Sequence, residues 1–489
     1  MMKGLKMKKS ISKNYIYNLI YQILILLVPL ITTPYISRVL SVEGIGTYSF
    51  TYSIAYFFSL LAELGSIAYA RREIAYCQDD SYRRSVIFWE ILILRIITTI
   101  ITSIVYIIYI SNSNFFIIGI VQIMYIFSIV FDITWFFQGM EDFKTVVIRN
   151  SVVKIFTMFC IFMFVKAEND LIIYILVLAI LPFIGNIATW IGLKKYIVRI
   201  PIKELKPLRH LKGTIALFIP NIASQVYLLL DKTMLGFFTI DNIENGYYEQ
   251  AQKIIKICWT FLTTFSLVMS PRIAYVYGKR DREKIKEYMQ VSFNIVWLLA
   301  SALSFGIISI VNNVVPWFFG DSYYKVIDLL IIFSFILYPI GITSVIGTQY
   351  LITTKKQKIY TGSIIVGAIL NIIMNYFLIP RYYAVGAAIS SVAAEIIIAI
   401  IQIFYIVYYD KVITIKDIFE PSWQYILAGS IMLMILRKID SFLHPNILNT
   451  VILILIGGII FFIILILLKN KLVLEAFKVI KGKLVKNNN

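Results

Sequence analysis

Residues 447–468 read ILNTVILILIGGIIFFIILILL, a run without one ionisable side chain, closed by Lys469 and Lys471. An α-helix of about 20 residues crosses roughly 30 Å of hydrocarbon, so this stretch is long enough and apolar enough to span a bilayer. Working outward, thirteen more such runs occupy residues 14–36, 44–69, 85–110, 115–138, 146–165, 171–193, 214–238, 247–271, 289–311, 325–350, 360–379, 385–409 and 423–439. A chain that is 60% hydrophobic could not hide fourteen of them in a soluble core. The expected fold is an all-α integral membrane protein of about 14 transmembrane helices. The run at 423–439 is the shortest, crowded at its end by Arg437 and Lys438.

Charge sets the orientation. With both termini in the cytosol, 35 of the 46 Lys and Arg fall on inner connections and adjoining helix ends, against six outside: Arg38, Lys166, Lys325, Arg381, Arg437 and Lys438. The positive-inside rule selects this topology. The net charge of +19 is then mostly an inner-face charge facing anionic lipid, with no call for nucleic acid. The basic start followed by Tyr15–Tyr35 resembles a secretion signal, but its apolar run is too long and no small-residue cleavage site follows. Cys77, Cys160 and Cys258 form no spaced framework for disulfides or metal.

Residues 194–213, with Pro201, Pro207 and seven basic residues, read as a cytosolic linker between an N-lobe (1–193, helices 1–6) and a C-lobe (214–409, helices 7–12). Helices 13–14 (410–468) and a basic tail (469–489) follow. Two echoes support a repeat: Gly46-Thr47-Tyr48 against Gly246-Tyr247-Tyr248, and the spacing of Gln138 and Lys144 against Gln349 and Lys355. Duplicated six-helix bundles are a transporter architecture, with the substrate site between halves that rock about it. In the tail, Val473, Phe477, Ile480 and Leu484 fall near helical spacing, consistent with an interfacial helix or a frayed basic end.

Ionisable residues inside hydrocarbon need a partner or a wet cavity, which makes them candidate functional groups. The set is Glu63, Glu90, Arg95, Asp132, Lys154, Asp231, Lys232, Glu395 and, on helix 8, Glu249, Lys253 and Lys256. The last three lie at i, i+4 and i+7, on one helix face, and Lys256 is about 14 Å below Tyr247. Substrate contact is expected from Lys256, Lys253, Arg95 and Glu249. Gating or coupling is expected from Asp132, Asp231, Lys232, Glu395, Glu63 and Lys154. For Glu63, Glu90 and Asp132, pairing between helices competes with that role. His210 and His444 lie on opposite sides of the membrane, so no His-based metal or acyl-transfer site can be assembled, and no Gly-x-x-x-x-Gly-Lys-Ser/Thr loop is present for ATP. The reading requires no cofactor and no enzyme. Transport against a gradient would draw on an ion gradient, the membrane potential or downstream consumption.

Four strings carry a family resemblance: DITWFFQGMEDFK (132–144), DKTMLG (231–236), GYYEQAQK (246–253), and VGAAI (385–389) followed by Glu395. The chain resembles the bacterial Wzx-type oligosaccharide flippases, the polysaccharide transporter branch of the multidrug, oligosaccharidyl-lipid and polysaccharide exporter (MOP) superfamily. That resemblance implies a MATE-like fold of two six-helix lobes and a terminal pair. It also implies movement of an undecaprenyl-pyrophosphate-linked repeat unit across the bacterial cytoplasmic membrane, for capsule or another surface polysaccharide. Its implied partners are the lipid-linked oligosaccharide, membrane lipids, a polysaccharide polymerase and glycosyltransferases, with the coupling ion open. Two alternatives stand beside it. A cation-coupled multidrug antiporter of the same superfamily would more naturally carry a carboxylate-rich lumen. A polysaccharide polymerase usually carries a large outer loop, whereas no outer connection here exceeds about a dozen residues.

Overall fold

The computed structural model describes residues 2–475, without the side chains of residues 2–20 and of part of 219–228. The amphipathic reading of the tail depends on Phe477, Ile480 and Leu484 and lies outside the described residues. No strand occurs among the described residues. The helices are α1 (Met2–Val39), α2 (Val42–Glu63), α3 (Ser66–Ala75), α4 (Ser81–Ser111), α5 (Phe116–Phe131), α6 (Thr134–Gly139), α7 (Phe143–Phe164), α8 (Leu171–Leu193) and α9 (Leu211–Phe238). They continue as α10 (Ile243–Gly278), α11 (Arg282–Phe319), α12 (Lys325–Ser334), α13 (Leu337–Thr343), α14 (Gln357–Phe404), α15 (Ile415–Phe419), α16 (Ser422–Asp440) and α17 (Ile447–Leu467).

Several helices begin before the apolar runs do, because their caps lie in the polar connections. Ser41 accepts from the Gly44 N–H, Asp80 from Arg83, Asp142 from Thr145 and Asp281 from Lys284. Each cap satisfies an N–H that the first turn leaves open.

Among the described residues, eleven helical stretches are long and apolar enough to cross a membrane. Two of the three differences from fourteen have a local cause. Runs 360–379 and 385–409 are one stretch by hydrogen bonding, but Tyr383 (φ 52°, ψ −130°) turns the chain back on itself. The Gln402 amide donates to Ser363 Oγ at 2.9 Å across 39 residues, as two antiparallel arms require. α16 has the length to span but ends in Arg437, Lys438 and Asp440, and α9, also long enough, includes side chains outside the described residues.

Three runs expected to be continuous are broken. Run 44–69 stops at Glu63, where Leu64 (φ 47°) and Gly65 (φ 70°) are left-handed before α3 begins. A methyl group on Gly65 would come within 2.7 Å of the Phe218 nitrogen and the Thr214 carbonyl oxygen, so α9 seats against this break. Run 115–138 breaks at Asp132 and Ile133. Run 325–350 divides into α12, α13 and a π-helical segment, Ser344–Ile352.

The chain forms two compact units, Met1–Gly246 and Tyr247–Asn489, so α9 belongs to the first. There α9 packs on α2, with Ser53 and Thr233 hydroxyls 2.8 Å apart. A core around Phe88, Trp135, Phe136, Phe137 and Ile74 joins α3, α4 and α6. The second unit is built round Phe293, Val296, Trp297, Ile346, Tyr425 and Phe461. Exposed Ile100, Ile101, Ile104 and Ile108 line α4 and exposed Ile454, Leu455, Ile459 and Ile463 line α17, an outward apolar face suited to acyl chains rather than water.

Candidate functional site

In the first unit the helix breaks bring charge together. Arg95, midway along α4 and 1% exposed, donates from Nη1 to the Asp132 carbonyl oxygen at 2.7 Å. The Asp132 carboxylate turns the other way and accepts the Thr134 N–H (2.9 Å) and hydroxyl (2.6 Å), an Asx-type turn that ends α5 and restarts the chain as α6. The carboxylates of Glu63 and Asp132 provide the negative charge facing Arg95. Its Nε and Nη2 have no hydrogen-bond partner among the described residues. Arg95 was expected to line a cavity; in this conformation it is enclosed. Lys154 instead lies exposed on α7, eleven residues past its start or about 16 Å along it. Asp231 and Lys232 are buried near the end of α9.

At the start of α2 two backbones meet. A methyl on Gly46 would fall 1.7 Å from the Asn242 carbonyl oxygen, and one on Gly246 would fall 2.1 Å from the Val42 carbonyl oxygen. Glycine alone allows this approach. The Asn242 amide also donates to Thr47 Oγ1 at 3.2 Å.

α10 runs unbroken from Ile243, in the first unit, to Gly278, in the second, which keeps Glu249, Lys253 and Lys256 on one face. Lys253 Nζ lies 3.7 Å from Glu249 Oε1. Lys256, one turn deeper, is exposed. Glu395 is buried on the second arm of α14, one turn past Ser391, whose hydroxyl lies 3.2 Å from that of Tyr248 on α10.

Sequence reasoning missed a second polar centre. Glu90, fully buried on α4, pairs with the linker rather than with another helix. It accepts the Lys206 N–H (2.6 Å), Arg209 Nε (2.9 Å) and His210 Nε2 (2.8 Å). The Tyr69 hydroxyl lies 2.9 Å from His210 Nδ1, so the imidazole bridges Tyr69 and Glu90 through its two nitrogens. Glu90 and His210 are 120 positions apart, and no local pattern signals the pairing. Among the described residues, no group of three or more His, Cys, Asp or Glu is placed to hold a metal ion. The chemistry on offer is binding and charge compensation: cations on a helix face and enclosed, counter-charged arginine.

Comparison with known proteins bears on this arrangement. The sequence model of the family described as "Polysaccharide biosynthesis protein" matches residues 11–276, and that described as MatE matches residues 216–377. The chain is 23% identical over 381 residues to a Shigella dysenteriae protein named as a proposed O-antigen transporter, covering 77% of this chain and 95% of that one. It is 22% identical to the capsular polysaccharide biosynthesis protein CapF of Staphylococcus aureus, covering 80% and 98%. Among solved structures it superposes on the lipid II flippase MurJ in an inward closed conformation with a TM-score of 0.73 at 16% identity, covering 94% of this chain and all of that one. A multidrug MATE transporter of the MOP superfamily, inward-facing, gives 0.58 at 12% identity, covering 84% and 99%.

Proposed function

This chain belongs to the polysaccharide biosynthesis protein family, and we propose that it is a Wzx-type flippase of the MOP superfamily. It carries undecaprenyl-pyrophosphate-linked oligosaccharide from the cytosolic to the outer leaflet of the cytoplasmic membrane. Both termini are cytosolic in this reading, following the distribution of Lys and Arg. The product feeds a polysaccharide polymerase, and glycosyltransferases supply the substrate.

The observation that carries the reading is the face of α10. A continuous helix bears Lys253 and Lys256 at successive turns with Glu249 paired to Lys253, and Lys256 exposed about 14 Å beyond Tyr247. A cationic helix face of this kind suits an anionic ligand, and a diphosphate with acidic sugars is such a ligand, its prenyl chain remaining in lipid. The lobes 1–193 and 214–409 serve as the moving bodies. Outward opening parts the glycine seam between the start of α2 and residues 242–246. Asp132, Asp231, Lys232, Glu395, Glu63 and Lys154 remain the gating or coupling candidates, and Arg95 reaches substrate only in a conformation that opens its pocket.

The MatE match over residues 216–377 favours a second reading, cation-coupled drug export, which shares the fold. Lysines at the deep end of the α10 face suit anions better. Lys256→Ala separates the readings. The flippase reading expects protein abundance near wild type, lower surface polysaccharide, and lipid-linked repeat units accumulating in the cytosolic leaflet. Lys256→Arg retains more activity than Lys256→Ala. Normal glycan flux per molecule in Lys256→Ala would remove this residue from the site, and normal surface polysaccharide in a strain lacking the protein would overturn the function.

A further inference from the structure

Where α7 starts and its antiparallel neighbour α8 ends, a cleft of about 550 Å³ opens between the two helices. Lys144, Thr145 and Arg149 line it from α7, Gly185 and Thr189 from α8, and Asp142 stands at its rim. Arg149 lies six residues into a spanning helix, about 9 Å along it. Its guanidinium reaches across α8: Nη2 donates to the Pro182 carbonyl oxygen at 3.0 Å and to Asn186 Oδ1, and Nη1 to Asn150 Oδ1 at 2.6 Å. Gly185 makes the crossing feasible, since a methyl there would come within 3.1 Å of Arg149 Nε and 2.4 Å of Val153 Cγ2.

Every acceptor Arg149 uses is neutral. Its Nε–H has no hydrogen-bond partner, and neither Arg149 nor Lys144 forms an ion pair among the described residues. Asp142 forms no ion pair among the described residues; its two oxygens accept the Thr145 N–H (3.3 Å) and hydroxyl (2.7 Å). The Thr189 hydroxyl is likewise committed to the Asn186 carbonyl oxygen. The cleft therefore holds two cations without an ion pair among the described residues, Arg149 half-buried and Lys144 exposed, with the Asp132 carboxylate acting on Arg149 only at longer range. Beside them on α7, Ile148 and Val152 are exposed, and they continue the same face deeper along the helix. A polar, cationic mouth leading to an exposed apolar flank is the surface that an amphiphile with a charged head fits.

We propose that this cleft is a binding site for the anionic phosphate headgroup of a membrane lipid, seated on Arg149 and Lys144 with its chain against Ile148 and Val152. Guanidinium recognises phosphate oxygens through paired N–H donors, and lysine adds a point charge. Basic clefts between transmembrane helices on the cytoplasmic side are where such headgroups bind. The site uses no residue assigned to transport, so its failure leaves the flippase reading untouched.

Two lipids share this chemistry, an anionic phospholipid of the bilayer and the polyprenyl diphosphate carrier. The test is native mass spectrometry of the full chain, titrated with phosphatidylglycerol and with phosphatidylcholine of the same acyl chains. Phosphatidylglycerol should bind more tightly, and Lys144→Gln and Arg149→Gln should each weaken it at least about fivefold while leaving phosphatidylcholine unchanged. Lys144 is on the rim, so Lys144→Gln keeps the test decisive if Arg149→Gln disturbs α8. Displacement of bound phosphatidylglycerol by substoichiometric undecaprenyl diphosphate would support the site with the carrier as occupant, and its retention would support it with the phospholipid. Equal binding of the two phospholipids, wild-type affinity in both variants, or equal displacement by millimolar inorganic phosphate would overturn the proposal.

Discussion

Replacing Glu90 by Gln should release the 201–210 segment from α4. The side chain is wholly buried, and its carboxylate takes three N–H groups of the linker at 2.6–2.9 Å. Glutamine keeps the shape but has one acceptor oxygen, and its NH2 then faces donors it cannot satisfy. Removing one partner of a buried ion pair costs about 3–5 kcal/mol. Because the Arg209 side chain is 50% exposed and screened, the lower end applies, about 3 kcal/mol, or roughly 150-fold in the opening equilibrium. A protease that cuts after Lys, applied to the purified protein, reads that equilibrium at Lys203 and Lys206 when reclosing outpaces cleavage. Glu90→Gln should accelerate cleavage by about two orders of magnitude, and Arg209→Gln by less than tenfold, since an exposed partner contributes about 1 kcal/mol or less. Cleavage of Glu90→Gln within twofold of wild type would refute the assignment of Glu90 as the linker's anchor.

Gly46→Ala should hold the start of α2 away from residues 242–246; cysteines at Thr47 and Asn242, whose side chains meet at 3.2 Å, should crosslink at least tenfold more slowly in that background, and an unchanged rate would refute the seam. Burial alone would raise the Asp417 carboxyl, but hydrogen bonds from the Thr414 N–H and hydroxyl, from Gln290 and from Lys286 hold it at about 2. A carboxyl lowered on folding stabilises above its unfolded value near 4 and loses that contribution as pH falls toward 2. The α11–α15 contact, followed through Trp297, whose Nε1 donates to the Ile418 carbonyl oxygen, should therefore weaken between pH 4 and 2; Asp417→Asn should abolish that step and cost about 1 kcal/mol at neutral pH. A reporter active only in the cytosol should work when fused after Lys206 or Lys356 and be silent after Asn169 or Asn242; activity at Asn242 would refute the orientation.

The spanning helices could be read from the sequence because hydrocarbon imposes length and apolarity on each one separately. The face of α10 was equally legible, since three charges at helical spacing need only an unbroken helix to align. The break at Asp132 was hidden inside a run that apolarity alone makes continuous; the signal was local, an Asp two residues before a Thr whose N–H it captures. Glu90 and His210 could not be matched, because a contact across 120 positions leaves no periodic trace. Arg149 was masked for another reason: near a helix end it counted toward the inner-face charge, and only its reach across Gly185 distinguishes it from a topological lysine or arginine.

The seam at Gly46 and Gly246 joins carbonyl oxygens and glycine backbone, with Asn242 and Thr47 beside them, and none of these groups titrates. Its strength therefore does not depend on the protonation of any side chain in it. On the proposed alternating access, opening here has to separate two closely seated backbones rather than break an ion pair. Such a closure behaves as a mechanical stop, held by fit alone, whose tolerance for any added atom is nil on both faces.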